Sequence, residues 1–135
     1  MDNNLRLLGI ARKAGLLAVG GDSSGFAARS GKARAIFSAS DASDRSKRRA
    51  VEDSAICGAV YTEVPYTKHD LGNVTGRGSP ATLAVLDTGL AAVFINRLAE
   101  SEPERYGKAA ECLAKKTRVQ AETRKNTAGK RRTAR

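Results

Sequence analysis

Four short apolar runs, set between stretches of helical spacing, constrain this chain more than any other feature. They are Leu16–Val19, Ala33–Ser40, Ala59–Val64 and Ala81–Leu86. Bounded by Gly, Pro, Asp or Ser, they read as buried strands. Between them apolar residues recur every three or four positions. Over residues 4–14, Leu5, Leu8 and Ala11 lie beside Leu7, Ile10 and Ala14 on adjoining helical faces, and Gly15 ends the helix. A second helix is expected from about Asp22 to Ser30. A third runs from Asp41–Ser43 to about Cys57, with Val51, Ala55 and Ile56 facing inward. Thr67 and Asp70 fit a capping box opening a short helix to about Asn73. Asp87 and Thr88 open the next, Gly89 to Glu100, with Leu90, Val93, Phe94 and Leu98 along one side. Helix and strand alternate throughout, so the expectation is a layered α/β domain whose helices cover a small, internal sheet. No repeat is visible that would make a solenoid.

At 135 residues the chain suits one domain with an appendage. With three Phe, three Tyr and no Trp, its core must be built from Ala, Val, Leu and Ile. No apolar run approaches the roughly 18 residues that cross a bilayer. The start, Met-Asp-Asn-Asn, lacks the charge and apolar stretch of a secretory signal. A cytoplasmic location with no membrane partner is therefore expected. Cys57 and Cys112 have no CxxC spacing and no histidine cluster, so no disulfide framework and no metal site are expected. Cys57 reads as a small buried hydrophobe.

Charge is unevenly spread. Residues 1–103 hold 13 basic and 11 acidic side chains, whereas residues 104–135 hold 11 and 3. Ser101-Glu102-Pro103 marks the change, dividing a domain (1–103) from a basic extension (104–135). The extension starts with a helix from Glu104 to about Thr117, with Tyr106, Ala110 and Leu113 on a weak apolar stripe. From Arg118 it has almost nothing to bury and is expected to be disordered in isolation. A nearly neutral domain with a strongly basic end points to a polyanionic partner.

The stretch Val19-Gly20-Gly21-Asp22-Ser23-Ser24-Gly25-Phe26 joins the first strand to the second helix. Asp22 or Ser23 is the expected N-cap. Unpaired N–H groups at such a start suit an anion such as phosphate, although the same turn can serve only to reverse the chain.

The order of elements resembles the kink-turn RNA-binding ribosomal proteins of the archaeal L-seven-Ae type, over roughly residues 4–100. The pieces are Lys13-Ala14-Gly15, Gly20-Gly21-Asp22-Ser23, Ser30-Gly31-Lys32-Ala33 and Ser40-Asp41-Ala42-Ser43. The loop Gly76–Pro80 stands where that family has its second RNA-contacting loop, and the bacterial YlxQ-like branch looks most similar. The resemblance implies an α/β fold, a three-layer α/β/α sandwich with a small four-stranded mixed sheet. It also implies RNA, ribosomal or otherwise structured, as partner. The chain departs from the family where Asn and Glu would hydrogen-bond sheared G·A pairs, having Asp22 and Ser23, and where a Lys would stand, having Phe26, which cannot donate a hydrogen bond or neutralise a phosphate. Weak discrimination between a kink-turn and a plain duplex is the corresponding expectation.

The expected RNA contacts are Lys13, Gly20, Gly21, Asp22, Ser23, Lys32, Arg77 and Gly78, with Lys130, Arg131 and Arg132 in the extension. Arg77 sits in a glycine-rich loop, where a guanidinium suits a phosphate or a splayed base. Arg45, Lys47, Arg48 and Arg49 form either a phosphate-binding face or a solvated helix surface paired with Glu52 and Asp53. Catalysis is not expected. HExxH and GxxxxGK[ST] are both missing. The single histidine, His69, stands within the capping box, and Asp22, Asp41, Asp44 and Asp87 are explained as helix caps. The reading is a monomeric, cofactor-free RNA-binding protein of translation or ribosome biogenesis. Its alternative is a protein–protein adaptor of the translation machinery with a degenerate kink-turn site.

Overall fold

The computed structural model describes residues 3–115. Its elements follow in the order α1 (Asn3–Lys13), β1 (Leu17–Val19), α2 (Gly21–Arg29), β2 (Ala35–Ser38), α3 (Asp44–Cys57), β3 (Val60–Glu63), α4 (Lys68–Thr75), β4 (Thr82–Val85) and α5 (Thr88–Ser101). A last helix, α6, occupies residues 103–115. The strands form one mixed sheet in the order β1-β4-β2-β3. β4 lies antiparallel to β1 and β2, and β2 runs parallel to β3.

Because side chains alternate along a strand, the register sends two sets of residues to opposite faces. Leu17, Val19, Phe37, Leu83 and Val85 join Leu8 of α1, Leu71 of α4 and Phe94 of α5 in the larger core. Phe37 stacks on Phe94 with centroids 5.0 Å apart, and Tyr66 lies 6.3 Å from Phe94. Tyr106 and Leu113 of α6, both 0 % exposed, belong to the same core. Ile36 and Ala84 face the other way, onto Ala27 and Ala28 of α2, Ala33 and Ala50 of α3. The three-layer α/β/α sandwich is therefore present, with one thick, aromatic layer and one thin, alanine-lined layer.

The thin layer overturns the expected inner face of α3. Val51 is 47 % and Ile56 62 % exposed, and Ala55 is exposed as well. The buried side of α3 is Ala50, Asp53 and Ser54. Close approach to α2 admits only small side chains there, so the branched residues turn outward. Cys57 is half-buried rather than buried, its thiol pointing at the Asp53 carbonyl at 3.6 Å. On α5, Leu90, Phe94 and Leu98 pack on the core as expected, but Val93 is 44 % exposed.

Local signals held where partners lie within one turn. Ser43 caps α3, Thr67 and Asp70 make a reciprocal capping box on α4, and Asp87 caps α5. Among the described residues, no helix is long and apolar enough to cross a membrane.

Candidate nucleic-acid interface

β1 leaves the sheet at Val19, and Gly20 turns the chain with φ 96° and ψ 161°, a conformation that L side chains avoid. Its amide donates to the Thr82 carbonyl at 2.8 Å, and its carbonyl accepts from the Ser24 amide at 2.9 Å. Gly20 is thus the N-cap of α2, correcting the expectation that Asp22 or Ser23 caps it. No side chain caps this helix. The amides of Gly21, Asp22 and Ser23 stand ahead of the first intrahelical bond, and a Cβ placed on Gly20 would meet nothing within 4 Å. Asp22 and Ser23 are exposed. This corner is open, and its donors carry the partial positive charge of a helix start.

A guanidinium lies beside it. Arg49 of α3 donates from Nη2 to Asp22 Oδ1 at 3.1 Å, and its Nε stands 4.0 Å from Asp53 Oδ2. The Arg49 Nη1 atom is 3.4 Å from where a Gly21 Cβ would be. Over Gly25, the same construction meets Arg29 Nη1 at 3.2 Å, Asp53 Oδ2 at 3.3 Å and Arg49 Nη2 at 3.4 Å. The absent side chains of Gly21 and Gly25 make room for two guanidiniums and a carboxylate against the first turns of α2.

The neighbouring loops converge on the same end of the sheet. Ser40, just past β2, donates its amide to the Tyr66 carbonyl at 2.9 Å, and Ala39 donates to the Ala81 carbonyl at 2.9 Å. Asp41 Oδ1 accepts from the Lys68 amide at 2.8 Å. Asp41 therefore adds an acceptor at the first turn of α4, whose N-cap is Thr67, and does not serve the helix that follows it in sequence. After α4, Gly76 takes φ 72° and the chain folds back along the helix before entering β4 at Thr82. Gly78 is exposed and packs on Gly72, with Arg77 exposed beside it. Arg12 reaches this loop, its Nη1 lying 3.9 Å from the position of a Gly76 Cβ.

The structure thus brings Gly20, Gly21, Asp22 and Ser23 to the end of the sheet where the 76–81 loop enters β4. It does not bring Lys13 or Lys32 there. Lys13 closes α1 ahead of the start of β1, and the amide of Lys32, past the end of α2, donates to the Ala27 carbonyl. Both stand at the opposite end of the sheet, beside the bonds from Arg34 to Val85 and from Leu86 to Leu16, where the last turn of α1 meets the start of the 76–81 loop through Arg12. Lys130, Arg131, Arg132 and the tail from Arg118 lie outside the described residues. Arg29 is not among the expected contacts, and Arg49 is expected only as one of the α3 cluster that forms either a phosphate-binding face or a solvated surface. The 27-residue separation of Asp22 and Arg49 leaves no local sequence signal for their pairing.

On the far flank of α3, Lys47 pairs with Glu63 at 2.5 Å, and Arg105 of α6 reaches the other Glu63 oxygen at 3.0 Å. The hydrogen bond from Lys47, then the charges of Lys47 and Arg105, hold the Glu63 carboxyl below the usual carboxylate range. The same bond holds the Lys47 ammonium above its usual range. Lys47 is consequently committed to the scaffold. Among the described residues, no three His, Cys, Asp or Glu side chains gather in a way that could hold a metal ion.

No protein-family profile and no curated protein matches the sequence. Solved structures do match in shape. A Bacillus halodurans protein of unknown function is 23 % identical with a TM-score of 0.61, the match covering 67 % of this chain and 91 % of that one. A Giardia lamblia 15.5kD RNA binding protein is 20 % identical with a TM-score of 0.54, over 81 % of this chain and 85 % of that one. Both likenesses establish a shared fold.

Proposed function

We propose that this chain binds structured RNA, ribosomal or other, without catalysis, and acts in the cytoplasm in translation or ribosome biogenesis. The observation that carries the proposal is the uncapped start of α2. Three leading amides and the Arg49 guanidinium lie together on an open corner, next to the loop that enters β4. Such a corner suits a backbone phosphate, which positions a nucleic acid without reading its sequence. The RNA-binding name of the Giardia neighbour, on a shared fold, supports the same partner. The basic side chains of residues 104–135 add a sequence-independent attraction.

Side chains that read bases are sparse on this corner, so binding should discriminate weakly between a kink-turn and a plain duplex. Titration of the full chain against both RNAs tests this. Comparable affinities agree with the proposal, and nanomolar affinity for the kink-turn alone contradicts it. Phe26, 64 % exposed on α2, favours a second reading, a protein–protein adaptor of the translation machinery. The ratio of absorbance at 260 and 280 nm after purification without nuclease separates the two: co-purified RNA supports the first, its absence the second.

A further inference from the structure

The α3 helix carries a basic surface of which the corner uses only Arg49. Arg45, Arg48, Arg49 and Glu52 follow the i, i+3, i+4, i+7 spacing that puts residues on one helical face. With Ser46 they line a single open groove. Lys47, between them in sequence, is turned to the opposite flank by Glu63. Among the described residues, no ion pair reaches Arg45 or Arg48, and both are exposed. Arg49 ends this stripe at the start of α2, where Asp22 is its exposed partner.

We infer that this face of α3 is a second RNA-phosphate surface, continuous with the start of α2, on which Arg49 exchanges the Asp22 carboxylate for a phosphate oxygen. The inference rests on the RNA-binding reading above and extends it. The Asp22 side chain is 99 % exposed, so its pair with Arg49 sits in water and contributes little. A phosphate offers the guanidinium two oxygens in a matching geometry and releases counterions as it binds. The exchange is thus downhill, and Asp22 acts as the chain's own competing anion. Arg45 and Arg48 extend the contact along the groove, each meeting a phosphate with no internal partner to surrender. Glu52 lies in the same groove and sets its boundary, since it repels a strand that strays onto it.

The test uses the full chain and a labelled RNA stem-loop with an asymmetric internal bulge, measuring affinity across a salt series. The double variant Arg45→Gln/Arg48→Gln should flatten the slope of log K against log salt by about 1.5–2, the loss of two phosphate contacts. Asp22→Asn should tighten binding roughly fivefold, the effect of removing the competing pair. Arg6→Gln, an exposed charge on α1 in the opposite layer, should leave the slope unchanged. If the parent chain binds the RNA but the double variant keeps its slope, or Asp22→Asn weakens binding, this inference is overturned and the RNA-binding reading stands. If the parent chain does not bind the RNA, both fall.

Discussion

Gly72 of α4 packs directly against the backbone of Gly78 in the loop that follows it. A Cβ on Gly72 would run into the Gly78 carbonyl oxygen, with the Gly78 carbonyl carbon at 2.8 Å and the Arg77 oxygen at 3.0 Å. The obstacle is backbone, which cannot rotate aside as a long side chain can. This contact holds the loop along α4 and delivers it to β4 beside Gly20.

Gly72→Ala should therefore push the loop away from α4 and cost roughly 1–3 kcal/mol of stability. RNA affinity should fall with it, because the loop adjoins the proposed site. Gly107→Ala is the contrasting case, since a Cβ there meets nothing within 4 Å and the residue lies in α6. It should stabilise by about 0.5–1 kcal/mol through helix propensity. Denaturant unfolding of the two variants reads both signs.

The C-terminal helix is part of the core, and this sets where the chain can be cut. Tyr106 and Leu113 are both 0 % exposed in the main cluster. Leu113→Ala should cost about 2–5 kcal/mol, and truncation after residue 103 should destabilise the domain more than truncation after residue 115. Among the described residues, the buried Tyr106 hydroxyl has no hydrogen-bond partner. Tyr106→Phe should accordingly be neutral or slightly stabilising. A marked loss of stability in that variant would mean that the hydroxyl has a partner after all.

Glu63 joins three elements by holding Lys47 of α3 and Arg105 of α6 from the end of β3. Its carboxyl is held below the ordinary range, so the stabilisation it supplies is present above that range and lost as pH falls through the depressed value. Glu63→Gln should cost about 1 kcal/mol near neutrality, and the difference from the parent should close as pH falls below the ordinary carboxylate range. The Lys47 ammonium, shifted upward, keeps its contribution below the ordinary lysine value and loses it only at strongly alkaline pH. Thermal unfolding of parent and variant across pH, with Arg105→Gln as a partial version, checks the sign and the window.

The fold was legible because its signals are local. Apolar runs gave the strands, and caps such as Thr67–Asp70 close within three residues. Gly20 was legible as a turn, but not as the cap, because Asp22 is drawn off by Arg49 from 27 positions away. Asp41 was misassigned for the same reason, serving Lys68 across 27 positions. The face of α3 was misread because Val51 and Ile56 look like core residues. Only the close packing of Gly25 against Arg49 and Asp53 reveals that this interface needs small side chains. Lys32 sits in a motif that follows the glycine turn closely in sequence, yet α2 carries it to the far end of the sheet.

The most direct measurement is the salt dependence of RNA binding by the full chain. With about five of its bases engaged, log K should fall linearly with log salt at a slope near −4, with similar slopes for a kink-turn and a plain duplex. Failure to bind either RNA at low salt, or an affinity indifferent to salt, would contradict the account.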